Sequence, residues 1–314
     1  MFHCSTTQVL DIGACVQLTD WGLRSLNRMS QLRVLRLDHI PALTVNGMRM
    51  LLVGESDSPA TTGTHMNDID LTNCIGMQPD PCLRLLAERA SSLTRISIQG
   101  VVDTEIDWKP MQVLVKACKG LRHLKIGPGG RSSRRSENEI NGKMKEKGRQ
   151  GQKKIKTSIN LPDVTTKAVS SSLGTTAVIH WPSTRALGYL AKYLRSTLLH
   201  LDLSGTTVRT SSMEQMKKMN RLLTLNLSEC LHLNDGIFAV LPNWKLESLN
   251  ISGCTTLTGV GLQDLHTSHE LKHLDVSGCS HMDDVSLCSL LLTHLPNLVE
   301  LECDECPLIT YEGA

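Results

Sequence analysis

The chain has 314 residues, of which 40% are hydrophobic but only 3% aromatic, so its core must be aliphatic. Charged residues make up 20% and the formal net charge is +2, which excludes a chain that is as a whole a polyanion binder or an acidic tail. No apolar run approaches the roughly 18 residues of a membrane helix, and the first residues contain no signal-type apolar segment. Eleven cysteines without dense spacing favour reduced thiols, and hence a location in the cytosol or the nucleus.

A recurring aliphatic pattern, L-x-x-L-x-L-x-x-C, predicts the strands in chain order. Five looser copies in the N-terminal half begin at Thr7, Leu32, Met66, Leu93 and Leu121. Five clearer copies, spaced 24, 24, 25 and 27 residues apart, begin at Leu198, Leu222, Leu246, Leu271 and Leu298. A repeat of this length cannot bury its own apolar face, whereas stacked copies share one core. We therefore predict ten units whose short strands pair in one parallel sheet.

A second pattern after each strand predicts the helices. Thr19, Asn234, Thr258 and Asp283 each precede an apolar run with helical spacing, and such side chains can cap a helix by accepting from backbone N–H groups. The stretch from Ser183 to Leu194 predicts the helix that precedes the strand at Leu201. Strand, turn and helix are thus expected to alternate, which is an α/β arrangement.

Three consecutive units read LNLSEC, LNISGC and LDVSGC between residues 225 and 279. These units resemble the cysteine-containing leucine-rich repeats of F-box proteins, the substrate receptors of cullin-based SCF ubiquitin ligases. The resemblance covers most of residues 1–127 and 181–314, and it implies a horseshoe solenoid with a concave parallel sheet and convex helices. The family's F-box is not found in this chain. We hypothesise that the chain is a fragment and that a part upstream of Met1 contains the F-box.

An insertion interrupts the repeats. The units at Leu121 and Leu198 start 77 residues apart, where about 25 are expected. Residues 128–160 contain ten basic and three acidic side chains, a net charge of +7, which leaves −5 for the remainder. We predict that residues 128–180 form a basic, disordered insertion between two blocks of one solenoid, 1–127 and 181–314. A shorter stretch, 54–67, is rich in Ser, Thr, Pro and Gly and predicts a surface loop.

The cysteines of the repeats share one position, which predicts that they face the interior and that their weak S–H donors help a neighbouring carbonyl. The cysteines at this position are Cys15, Cys74, Cys230, Cys254, Cys279 and Cys306. Cys303 and Cys306 have the C-x-x-C form of a zinc or redox half-site, but the repeat accounts for both, and we interpret them as packing residues. No metal, cofactor or catalytic residue is therefore predicted.

The alternation of strand side chains predicts which residues form the concave face. His123, His200 and His273 share one register there, but His200 and His273 are separated by about 14 Å along the sheet, so a shared metal is not expected. The C-terminal half of this face is polar and acidic. The residues predicted to bind a partner are Asp202, Asn226, Asn250, His273, Asp275, Glu300 and Glu302.

These patterns favour a non-catalytic protein–protein interaction module, because the common local signatures of enzymes are missing from the sequence. The resemblance implies that it recognises a protein substrate for an SCF-type ligase, contacting the adaptor subunit only if an F-box exists. A free-standing repeat scaffold unrelated to ubiquitin is one alternative. Nucleic-acid association through the phosphates contacted by the basic insertion is the other.

Overall fold

The computed structural model describes residues 6–55, 58–59, 62, 65–100, 108–128, 182–241, 244–293 and 295–310. Within these residues ten strands form one parallel sheet, and each strand pairs with its neighbours in chain order. Its strands are β1 (Val9–Asp11), β2 (Val34–Arg36), β5 (Asp68–Asp70), β6 (Arg95–Gln99), β7 (His123–Gly127), β8 (His200–Asp202), β9 (Thr224–Asn226), β10 (Ser248–Asn250), β11 (His273–Asp275) and β12 (Glu300–Glu302). Each predicted unit contributes one strand, so the predicted solenoid is confirmed.

The register of the sheet places one aliphatic residue of every strand in a single row, which is buried except at its half-buried ends. Leu10 pairs with Leu35 at one end of this row, and Leu274 pairs with Leu301 at the other. β7 pairs directly with β8, with Leu124 opposite Leu201, so the sheet is continuous across the predicted insertion. Apart from Pro128, the insertion 128–180 lies outside the described residues.

Helices follow the strands and close the core from the other side. They are α1 (Asp20–Arg24), α2 (Val45–Leu52), α3 (Pro79–Arg89), α4 (Trp108–Ala117), α5 (Thr184–Leu194), α6 (Thr210–Met213), α7 (Gly259–Leu262) and α8 (Asp284–Thr293), with 3-10 turns at Glu214–Met216, Asp235–Ile237 and Gln263–Thr267. Strands β8, β9 and β10 start only 24 residues apart, at 200, 224 and 248, which leaves room for short turns. The longer spacing from β5 to β7 accommodates the full helices α3 and α4.

One continuous aliphatic core fills the space between the sheet and the helices. It extends from Leu23 in the first unit to Cys306 in the last, and the strand leucines within it are almost completely buried. Trp244 is a rare aromatic member, and its indole Nε1 donates to the carbonyl of Met216 at 3.1 Å. Stacked leucines therefore supply most of the apolar burial that stabilises the chain.

A left-handed residue ends each strand turn and links it to the next unit. Gly253 and Gly278 have φ of 68° and 69°, which glycine adopts without steric cost, whereas Glu229 adopts 57° at the same position. The backbone N of Glu229 donates to the carbonyl of Ser252 at 2.7 Å, and that of Gly253 to Ser277 at 2.7 Å. The steric cost of the left-handed backbone at Glu229 is thus offset by a hydrogen bond to the following repeat.

The predicted helix caps are confirmed in part. Asn234 accepts from Gly236 N at 3.1 Å, and Asp283 accepts from Ser286 N at 2.9 Å. Ser183, which was not predicted as a cap, accepts from Ala186 N at 3.3 Å at the start of α5. Thr19 and Thr258 occupy the cap position, but neither side chain accepts a capping hydrogen bond. Side-chain capping therefore does not explain why threonine occupies these two positions.

The stretch 54–67 is more ordered than a surface loop where the structure describes it. Gly54–Glu55 pairs antiparallel with Ser58–Pro59 as strands β3 and β4. Thr62 is buried, and its hydroxyl donates to the carbonyl of Leu26 at 2.6 Å and accepts from Met29 N at 3.1 Å. Thr62, whose backbone N also donates to the carbonyl of Asn27 at 3.3 Å, therefore ties this excursion to the first unit.

Candidate functional site

The concave face is formed by strand residues that alternate with the buried aliphatics. All seven residues predicted to bind a partner lie on five consecutive strands, β8 to β12. In register, Asp202 lies opposite Asn226, Asn226 opposite Asn250, Asn250 opposite Asp275, and Asp275 opposite Glu302. The structure thus brings the predicted residues together on one surface.

The four Asp and Asn residues of this surface are held in place by their own strand turns. Oδ1 of Asp202 accepts from Ser204 N at 2.9 Å, and Oδ1 of Asp275 accepts from Ser277 N at 3.0 Å. The two asparagines accept in the same way, Asn226 from Ser228 N at 3.0 Å and Asn250 from Ser252 N at 2.9 Å. Such Asx turns fix the side chain relative to the backbone.

Lateral hydrogen bonds then join these side chains across the strands. Nδ2 of Asn226 donates to Oδ2 of Asp202 at 3.2 Å, and Nδ2 of Asn250 donates to Oδ2 of Asp275 at 2.7 Å. Asp202 is only 8% exposed, whereas Asn226, Asn250 and Asp275 are half-buried. The polar ladder is therefore pre-organised, and its accessible part lies toward β11.

The last two strands form the exposed, acidic end of the face. Glu300 and Glu302 are exposed, and Nδ1 of His273 lies 2.9 Å from a carboxylate oxygen of Glu300. Asp304 continues this acidic end beyond β12, and its backbone N donates to Ser277 Oγ at 3.2 Å. A partner that contacts this end meets mainly negative charge.

The centre of the face contains two histidines of one register, His123 and His200, whose contact was not predicted. The rings of His123 and His200 stack with centroids 4.2 Å apart and an angle of 6° between planes. His200 Nδ1 also lies 2.9 Å from Thr224 Oγ1. Burial lowers the pKa of His123 to about 4, with a further lowering by His200 and then by nearby cations, of which Arg95 is the first. Burial and Arg95 also lower the pKa of His200.

The pair could have been found from the shared register of the two histidines and the order of their units. The residues lie 77 positions apart in the chain, at 123 and 200, because the predicted insertion separates their neighbouring strands in sequence. Both rings are uncharged at neutral pH because their pKa values are lowered. The centre of the concave face therefore carries two stacked, uncharged rings beside Arg95 and Lys125.

The cysteine position is confirmed in five units by thiol hydrogen bonds to the preceding repeat. The donor–acceptor pairs are Cys74 to Leu37 O at 3.0 Å, Cys230 to Leu203 O at 3.2 Å, Cys254 to Leu227 O at 3.1 Å, Cys279 to Ile251 O at 3.3 Å and Cys306 to Val276 O at 3.2 Å. Cys15 is exposed, contrary to prediction, because β1 is the outermost described strand and offers it no preceding carbonyl. Cys303 is half-buried beside the core.

Chemistry at these thiols is suppressed by their surroundings. Burial raises the pKa of both Cys303 and Cys306, so neither is an activated thiolate. Within the described ranges, no three His, Cys, Asp or Glu side chains are grouped to hold a metal ion. In the same ranges no helix is both long and apolar enough to cross a membrane.

Comparison with known proteins identifies the fold class. No protein-family model matches the chain, and no curated protein matches its sequence. Rad7 from yeast, solved in complex with Elc1, is similar with a TM-score of 0.54 and 15% identity, covering 98% of this chain and 72% of that chain. An internalin from Listeria monocytogenes gives a TM-score of 0.51 and 16% identity, covering 95% of this chain and 61% of that chain.

A leucine-rich-repeat protein from Legionella pneumophila, LegL7, gives a TM-score of 0.47 and 10% identity, covering 94% of this chain and 82% of that chain. The similarity to Rad7 and the internalin agrees with the ten-stranded parallel register described above. The chain is a leucine-rich-repeat solenoid. At 15% and 16% identity the similarity concerns the fold alone.

Proposed function

We propose that this chain is a non-catalytic protein-recognition module, and that it serves as the substrate-binding part of an SCF-type ubiquitin ligase. The observation that carries the proposal is the polar ladder of the concave face, which is fixed by Asx turns and lateral hydrogen bonds before any partner arrives. A surface that is ordered in advance loses little conformational freedom on binding, which favours affinity.

The partner-binding residues of this proposal are those on β8 to β12. Asp202, Asn226 and Asn250 form the rigid base, while His273, Asp275, Glu300 and Glu302 present the acidic end. Parallel sheets are usually covered by helices on both faces, so an uncovered polar sheet face is suited to a macromolecular partner. Charge complementarity favours a partner segment with Lys or Arg at this end.

The ubiquitin link has narrower support. The LNLSEC, LNISGC and LDVSGC units resemble those of F-box receptors, and the fold is similar to that of Rad7, which was solved with Elc1. In this role the chain would only hold the substrate, while other subunits carry out ubiquitin transfer. An F-box in a longer product of the same gene would supply the contact with the adaptor.

A photo-crosslinking experiment tests the concave face. A benzophenone amino acid at Glu302 should capture a partner in cells, whereas the same residue at Val260, which is 71% exposed on α7, should not. With the benzophenone amino acid at the exposed Asp304 instead, Glu300→Lys with Glu302→Lys should weaken capture about tenfold or more, because attractive pairs become repulsive. Asp264→Lys with Glu270→Lys makes the same charge change at exposed residues outside the strands and should leave capture intact.

The ligase role is tested on the captured protein. It should carry ubiquitin, and its abundance should rise when the chain is depleted from cells. A product of the same gene that contains an F-box should co-purify with the SCF adaptor. A captured protein whose abundance does not respond to depletion would favour the free-standing scaffold, and equal capture at Val260 would refute the concave site itself.

A further inference from the structure

An unusual cluster of aromatic rings lies on the convex side where α4 and α5 pack together. The whole chain has four Trp, three Tyr and two Phe, yet one Trp and two Tyr meet here. The rings of Trp108 and Tyr189 stack with centroids 5.7 Å apart and an interplanar angle of 12°. Tyr189 stacks in turn on Tyr193, one helical turn further along, at 6.3 Å and 14°.

Four cations are held over the two ends of this aromatic row. Lys109 Nζ and Arg185 Cζ lie 5.9 Å and 5.6 Å from the ring centroid of Trp108. Lys116 Nζ and Lys192 Nζ lie 5.9 Å and 5.4 Å from that of Tyr193. Cation–π attraction therefore positions two pairs of positive charges at fixed places.

The local charge is not balanced from within these helices. The sequences of α4 and α5, WKPMQVLVKA and TRALGYLAKYL, contain four basic residues and no Asp or Glu. Within the part of the chain that the structure describes, Lys116, Arg185 and Lys192 take part in no ion pair. Like charges held together in this way attract an anionic ligand.

A shallow depression of about 300 Å³ adjoins the row, with Arg185, Tyr189, Lys192 and Gln215 around it. Its floor is Gly188, and the nearest atom to a Cβ built there is Gln215 Oε1 at 3.9 Å. The depression exists because this helical position lacks a side chain. It offers an aromatic wall, an amide and two cations to a bound segment.

We propose that α4 and α5 form a second docking site, on the convex surface, for an acidic segment of a partner protein. Its carboxylates contact the cation pairs at Trp108 and Tyr193, and one of its side chains enters the depression over Gly188. A single-stranded nucleic acid fits less well, because it binds through bases stacked on aromatic faces. Here those faces already carry the protein's own cations.

The test uses a fluorescein-labelled poly-Glu peptide that carries a benzophenone group, with anisotropy to measure affinity. Arg185→Glu with Lys192→Glu should lower the affinity about tenfold or more, because two attractions become repulsions. Lys217→Glu with Lys218→Glu makes the same charge change at exposed residues of the neighbouring turn and should change affinity little. Lys153→Glu with Lys154→Glu makes the same charge change in the basic insertion, and this variant should also bind the peptide with nearly unchanged affinity.

Crosslink mapping on the unaltered chain decides the question independently of any variant's folding. Mass spectrometry should place the peptide crosslinks within residues 108–117 and 184–195. Crosslinks confined to the insertion, or an unchanged affinity in the Arg185→Glu and Lys192→Glu variant, would overturn the proposal. Tighter binding of an oligo-dT strand that is lost in the same variant would replace the acidic protein segment by a nucleic acid.

Discussion

The carboxylate of Asp235 accepts two hydrogen bonds from Thr258, one from the backbone N at 2.8 Å and one from Oγ1 at 2.6 Å. Asp235 begins the 3-10 turn of one unit, and Thr258 occupies the N-cap position of the next. The same two bonds recur between Asp20 and Thr44 and between Asp284 and Thr310. The threonine therefore serves the joint between repeats, and Thr44 also caps its own helix by accepting from Asn46 N at 3.1 Å.

Loss of this joint should destabilise the solenoid. We expect Asp235→Ala to lower the free energy of unfolding by about 1–3 kcal/mol, the range for hydrogen bonds to a charged group. Urea denaturation followed by circular dichroism measures the change. Asp264→Ala, at an exposed carboxylate of the following turn, is the control and should have a much smaller effect. Equal losses in the two variants would mean that the joint contributes nothing beyond surface charge.

Two helical glycines should respond to alanine in opposite directions. At Gly188 the added methyl meets only Oε1 of Gln215, at an uncrowded 3.9 Å, so Gly188→Ala should stabilise the chain by about 0.5–1 kcal/mol through helix propensity. At Gly261 the new Cβ would lie 2.6 Å from Cβ of Asp235 and 2.7 Å from Cδ2 of Phe238. Gly261→Ala should therefore destabilise it by about 1–3 kcal/mol. Thermal unfolding of the two variants in parallel gives the sign of each.

Thiol labelling should separate the buried cysteines from the exposed ones. Burial raises the pKa of Cys82 to about 12 and that of Cys254 well above its usual range, so neither forms appreciable thiolate in mildly alkaline buffer. A short iodoacetamide pulse should modify the exposed Cys15 and Cys288 first. Mass spectrometry should find Cys82 and Cys254 labelled only after denaturation in urea. Early labelling of Cys254 in the native chain would contradict the interior position of the repeat thiols.

Acid should weaken the fold through the histidine pair. The pKa of His123 is about 4 in the folded chain and 6.5 without its surroundings, so protonation favours the unfolded state. Its contribution to stability is complete above 6.5 and is lost as pH falls from 6.5 toward 4. Urea midpoints measured across this interval should therefore decline less steeply in His123→Gln than in the original chain. His281→Gln, at an exposed histidine, is the control. If the urea midpoint of His123→Gln declined as steeply as that of the original chain, protonation of His123 would not be the cause of the acid sensitivity.

Much of the fold could be predicted because the same sequence pattern occurs ten times in the chain. The spacing of Leu225, Leu249 and Leu274 sets both the strand positions and their register. The cysteine position even predicts the thiol bond of Cys254 to Leu227 O. Each of these features depends on local periodicity, which a sequence displays directly.

Contacts between residues of different units could not be predicted from this local periodicity. Asp235 and Thr258 each suit a helix start, so local propensity explains both without revealing that they bond to each other. The stacking of His123 on His200 is hidden by the insertion between them. Cys15 shares the pattern of the other cysteines, but exposure depends on having a preceding repeat. Whether the residues on β8 to β12 bind a partner stays a prediction.

The pairing of β7 with β8 and the packing of α4 on α5 directly join the described residues of the two predicted blocks, 1–127 and 181–314. In a solenoid each unit contacts only its neighbours, so this joint is energetically like any other. A protease that cuts within 128–180 would therefore leave two polypeptides associated as a non-covalent pair. We propose that these blocks, made as separate chains, would reassemble at β7 and β8 into the same molecule.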